Sequence, residues 1–248
     1  MAGALNPTQL QSLDQYYVQG SCVIFVAGKI PSSLPRQLEE SFGTLPIQSH
    51  RQNRKGPLVL LQPDANKKVE LINDENGVQA AIRLARPFPD RHHPDYQPVL
   101  LLNTIFGGYF GSRLMDNIRE DKGYTYGIYS YLQNHIRETA WTISAEVGRE
   151  VAAATLHEIK VEMKRLREEP IDPEELKMAR NYLVGTTLSE LDGPFSVISR
   201  WRHLILNNVD EQYFYAGLAA IRDTPAKQLQ ILANRYLQPD DFYEVVVI

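Results

Sequence analysis

The feature that most constrains this chain is a change in the period of its apolar residues. From Gly77 to Ala85 they alternate, with Val78, Ala80, Ile82 and Leu84 on one face, the two-residue period of a half-buried strand. From Asp95 the period becomes helical: Tyr96, Val99, Leu100, Asn103 and Phe106 share a face that ends at Gly107-Gly108. Pro87, Pro89 and Pro94 mark an irregular connection between them. Two β-rich runs follow, Tyr124–Gln133 and Thr139–Val147, joined by residues 134–138 as a hairpin with Trp141, Ile143, Ala145 and Val147 on one side.

The C-terminal part reads as a block of helices. Ala152, Leu156, Ile159, Met163 and Leu166 mark one amphipathic face. Asp172-Pro173-Glu174-Glu175 announces the next helix with a cap, a proline at the first helical position and a glutamate three residues after the cap. That helix should run to about Leu191, with others over Phe195–Leu206, Glu211–Ile221 and Pro225–Tyr236, before a β-forming run Phe242–Ile248. Earlier, Thr8–Tyr17 and Ser33–Phe42 read as helices, and Cys22–Ala27, Leu58–Leu61 and Lys67–Ile72 as strands. Strands, a hairpin and then helices predict an α+β fold: a mixed, mostly antiparallel sheet with helices packed on one face. At 248 residues the chain can bury a full core.

Several function classes are disfavoured. A formal charge of −4 with scattered Lys and Arg gives no basic stripe for nucleic acid. No apolar run approaches the roughly 20 residues that span a bilayer. The N-terminus lacks the basic and apolar regions of a signal peptide; a cut point, with an upstream half removed or encoded separately, is the alternative reading. The lone Cys22 lies in an apolar run where a buried thiol is expected, and it fits cytoplasm and periplasm alike. No pair of the six histidines has the four-residue spacing that places two zinc ligands on one helical face. Solvated histidines are the reading, with no metal in this chain. The glycines at 107–111 follow a helix rather than a strand and lack Gly-Lys-Ser/Thr, so a tight turn is favoured over a phosphate cradle.

What remains is the stretch Gly107-Gly108-Tyr109-Phe110-Gly111-Ser112-Arg113-Leu114, running on to Arg119-Glu120-Asp121-Lys122-Gly123-Tyr124-Thr125-Tyr126. Taken singly, an arginine at a helix C-terminus is often only a partner for the helix dipole, and a strand tyrosine is usually core with a wet hydroxyl. Joined, the pattern resembles the glycine turn, helix and Arg-x6-Tyr element in the second, non-zinc half of insulinase/pitrilysin-type zinc peptidases. The opening residues through Gly43, the run Thr139–Ile143 and Asp172–Leu176 fit the same resemblance, so it covers nearly the whole chain as one half, residues 1–248.

The resemblance implies a division of labour. Zinc is expected in a partner half bearing His-x-x-Glu-His, attached in the same polypeptide or as a separate subunit. This chain would contribute Arg119 and Tyr126 as donors near the scissile carbonyl of a peptide, with Gly107, Gly108, Ser112 and Tyr124 shaping the wall. Tyr124 stands where the family often has a smaller or aliphatic residue, so both tyrosines are candidates for the cleft and the spacing favours Tyr126. Alone, the chain should hydrolyse nothing. A partly apolar surface for the other half would also allow a homodimer of the isolated chain. The alternative is a non-catalytic scaffold subunit of the same fold, related to processing-peptidase and respiratory core proteins.

Overall fold

The computed structural model describes residues 22–44, 66–135 and 138–248. Two compact units emerge. Among the described residues, 22–44 and 191–202 fall in one and 66–190 and 203–248 in the other.

In the first unit, helix α1 (Leu34–Phe42) has a proline in its first turn and ends at Gly43. The strand expected over Cys22–Ala27 does not form: these residues are extended but pair with no strand among the described residues. Cys22 is exposed rather than buried, as are Val23, Ile24 and Val26. A β-forming composition expresses a fit to a pleated neighbour, and without that neighbour it does not by itself make a strand. The expected elements at Thr8–Tyr17 and Leu58–Leu61 lie outside the described residues.

The second unit holds the sheet. Its strands are β1 (Lys68–Leu71), β2 (Gln79–Phe88), β3 (Thr125–Asn134), β4 (Thr139–Gly148) and β5 (Tyr243–Val247), in the order β1-β5-β2-β4-β3. Only β1 and β5 run parallel; the other neighbours are antiparallel. The fold is therefore the α+β arrangement expected. Its C-terminal run lies inside the sheet, between β1 and β2, and Ile82 pairs with Val246.

One face of this sheet is core. Ala80, Ile82, Leu84, Phe88, Ile128, Trp141, Ile143, Ala145 and Val147 are all buried. The opposite face carries the Arg83–Glu146 ion pair and the half-exposed Tyr129 and Tyr131. Val78, expected on the buried face, is exposed because it precedes the strand. Pro87, expected in a loop, lies inside β2. It pairs with Ala140 of β4, but the pairing with β5 reaches only as far as Ala85, so only one flank of β2 is paired there and a missing N–H is tolerated.

Helices α2 (Tyr96–Asn103) and α3 (Ala152–Glu168) lie against the buried face. Helices α4 (Pro173–Ser189), α6 (Glu211–Asp223) and α7 (Ala226–Tyr236) pack on them, and α5 (Pro194–Leu206) links the units. The α4 cap forms as its sequence dictates: Asp172 Oδ1 accepts from the Glu174 and Glu175 N–H groups at 2.9 and 3.2 Å. Helix α2 differs from its pattern. It is buried nearly all round, and from Thr104 to Gly108 it widens into a π-helical turn. Among the described residues no helix is long and apolar enough to cross a membrane.

Candidate functional site

The widened turn explains the glycines. A Cβ on Gly107 would stand 2.7 Å from Ser130 Cβ and 2.8 Å from Leu114 Cδ1, so only hydrogen lets the turn press against β3. Beside it a buried network ties the two together. Asn103 Nδ2 donates to Ser130 O at 3.0 Å, the Ser130 hydroxyl donates to Asn103 Oδ1 at 2.7 Å, and Trp141 Nε1 donates to Ser130 Oγ at 2.7 Å. A Cβ on Gly108 would meet Asn103 Nδ2 and O, each at 3.1 Å. Gly107 is buried, as is Ser112, whose Oγ has no hydrogen-bond partner.

From that base the chain turns outward. Tyr109 stacks on Tyr182 of α4 with ring centroids 4.8 Å apart, and burial, then the charge of Glu175, pushes its hydroxyl pKa up. Arg113 grips Glu175 with two hydrogen bonds of 2.7 and 2.8 Å, fixing the turn to α4. A second π-helical segment, Met115–Asp121, carries Arg119 near its end. It closes through bonds from Lys122 N to Asn117 O and from Gly123 N to Arg119 O, of 3.1 and 3.2 Å. Gly123 then adopts φ +66°, the left-handed conformation that reverses the chain into β3. Asn117 anchors this segment below by donating to Glu162 and Glu158 of α3 at 2.7 and 3.1 Å.

The reversal brings the two motif residues together. Arg119 Nε donates to the backbone carbonyl of Tyr126 at 3.0 Å, while its Nη1 pairs with the Glu120 carboxylate. The guanidinium lies over the ring of Phe110, 4.6 Å from its centroid. Tyr126 sits in a register shift of the β3–β4 pairing between Thr125 and Ile128. Such a bulge re-aims a side chain. The Tyr126 side chain is 97% exposed, whereas Tyr124, just ahead of the strand, is half-buried against the core.

The structure thus brings a half-buried Arg119 against the backbone of the exposed Tyr126, and buries Gly107 and Ser112 in the turn that precedes them. Four contributors were not anticipated: Phe110, Glu120, the Asn103–Ser130–Trp141 network and the Arg113–Glu175 pair. Phe110 had a legible signal, a large apolar residue between glycines. The network had none, since its members are far apart in sequence.

A metal does not fit here. Among the described residues no group of three or more His, Cys, Asp or Glu could hold one. His203 is engaged by Arg91, and His93 Nδ1 accepts the Asp95 N–H at 3.1 Å.

Comparisons with known proteins place the chain in a family. Residues 8–183 match the family described as the peptidase M16 inactive domain. The chain is 26% identical over 190 residues to the protein named uncharacterized zinc protease YmxG of Bacillus subtilis (strain 168), covering 77% of this chain and 45% of that one. It is 27% identical over 157 residues to the non-peptidase homolog YmxG of Helicobacter pylori (strain ATCC 700392 / 26695), covering 62% and 34%. The crystal structure of a protease from Helicobacter pylori superposes with a TM-score of 0.76 at 17% identity, covering 90% of this chain and 54% of that one. The chain therefore spans about half the length, or less, of these relatives.

Proposed function

The chain belongs to the peptidase M16 inactive-domain family, and on that premise we propose that residues 1–248 act as the non-zinc half of a metallopeptidase. The half closes over a peptide held by a His-x-x-Glu-His-bearing half, which supplies the zinc. Hydrolysis adds water to the scissile carbonyl carbon and places negative charge on its oxygen. Donors prepositioned at that oxygen lower the barrier. In this reading the Arg119 guanidinium and the Tyr126 hydroxyl are those donors. Gly107, Gly108 and Ser112 act through the backbone they hold close, and Tyr124 fixes the chain just ahead of Tyr126.

The observation that carries the reading is the pairing of Arg119 with the Tyr126 carbonyl while the Tyr126 side chain is left in solvent. Phenols in strands normally bury their rings, and one held out on a bulge beside a restrained guanidinium is suited to meeting a partner. The test is reconstitution: the chain mixed with its His-x-x-Glu-His half and assayed on unfolded peptides. Cleavage only in the mixture, falling about 10²-fold in both Arg119→Ala and Tyr126→Phe, is the expected result. Chelator-sensitive cleavage by this chain alone would sink the proposal.

A second reading is a scaffold subunit, favoured by the relative named a non-peptidase homolog. It predicts a tight complex whose activity is indifferent to both substitutions.

A further inference from the structure

Phe110 is 62% exposed, an unusual place for a large apolar ring held on a turn. Its neighbours leave it no freedom to retreat. Tyr109 is committed to Tyr182, and the Ser112 N–H closes the turn onto Tyr109 O at 3.2 Å. A Cβ at Gly111 would strike the Tyr109 ring at 2.9 Å, so the turn stays tight. The ring that remains outside lies 4.6 Å from the Arg119 guanidinium carbon.

We infer that Phe110 is a positioning residue, a platform that orients Arg119 for the carbonyl of a bound peptide. An arginine side chain has many rotamers, and ordering it is costly. Three groups share that cost here: the Tyr126 carbonyl takes Nε, the Glu120 carboxylate takes Nη1, and the Phe110 ring covers one face of the plane. The other amino nitrogen, Nη2, has no partner among the described residues and is the edge left to donate. A guanidinium held flat on an aromatic ring keeps that edge in one plane, and it needs no rearrangement as charge develops. An aliphatic residue at 110 would give similar contact area without the attraction to the cation. The inference rests on the proposed role of Arg119, but the platform itself can be tested apart from it.

Two measurements separate the two claims. In the isolated full chain, NMR exchange of the Arg119 Nε–H reports the platform directly. Phe110→Leu should speed that exchange about threefold to tenfold, and Phe110→Trp should restore most of the protection. Unchanged exchange in Phe110→Leu would overturn the platform, whatever the activity. In the reconstituted peptidase, Phe110→Leu should lower kcat by a similar factor with KM within about twofold, and should have no effect in an Arg119→Gln background. A Phe110→Leu loss that persists with Arg119→Gln, or that Phe110→Trp shares in full, would mean Phe110 acts on the substrate or the fold instead. If no assembly cleaves peptide while the exchange result holds, the function proposed for Arg119 fails and the platform stands.

Discussion

The segment from Asn103 to Tyr126 has two sides that obey different rules. Below, Gly107, Ser112 and the Asn103–Ser130–Trp141 network are buried and each fits only its neighbours. Above, Phe110 and Tyr126 stand exposed with the half-buried Arg119 between them, restrained by one another rather than by the core. A buried polar group is expensive to leave unpaired, so the lower side determines whether the turn forms. An exposed group costs the fold little when it changes, so the upper side is free to be selected for what it meets. The lesson is that the motif glycines and the motif Arg and Tyr do separate work, although they lie within twenty residues of each other.

The sharpest way to break this division is Asn103→Ala. It removes both bonds that Ser130 makes to α2, leaving its carbonyl without the amide donor and its hydroxyl proton without an acceptor while Trp141 still donates to the hydroxyl oxygen, for a loss of roughly 3 kcal/mol. Chemical denaturation would measure it, and a loss under 1 kcal/mol would mean water fills the gap. Gly107→Ala comes next. Its new methyl overlaps Ser130 Cβ and Leu114 Cδ1, and because Ser130 N lies only 3.0 Å away, strand backbone must shift. The cost should be about 1–3 kcal/mol, and a neutral result would show that the turn is looser than its contacts imply.

A third prediction extends the lower side through α2 to α6. Burial, then the neighbouring Tyr96, pushes the Tyr213 hydroxyl up to about 12. A neutral phenol whose folded pKa is raised holds its proton longer in the native state. Its stabilising contribution is whole below the ordinary value near 10 and is lost as pH climbs through 12. Between those limits the wild type should lose ~1–2 kcal/mol more than Tyr213→Phe. Parallel slopes in the two proteins would mean Tyr213 is hydrated.

Legibility in the sequence followed the same line. Periodic elements were readable because burial repeats along one segment: the β3–β4 hairpin, α3 and the Asp172 cap of α4 all form near their expected positions. Cys22–Ala27 misled because its pattern promised a strand whose partner the described residues do not supply. Pro87 misled because its tolerance depends on where β5 begins, at Tyr243, far later in the chain. At the site, the spacing of Arg119 and Tyr126 could be read, but the bulge that turns Tyr126 outward could not. It is a mismatch between two strands, visible only once β4 lies alongside.

The smallest expected effect is the most discriminating. Tyr126→Ala should change stability by no more than about 0.5 kcal/mol, because a ring 97% exposed has almost no burial to lose. Arg119 holds the backbone carbonyl of Tyr126 rather than its phenol, so the contact survives truncation of the side chain. A measurable loss would show that the ring packs on something in solution, and the division between the two sides would fail at the residue that defines it. A neutral result makes the ring dispensable to the fold. Any defect of Tyr126→Ala in the assembled peptidase would then belong to what the phenol meets across the cleft, and no defect there would leave the bulge without a catalytic reason.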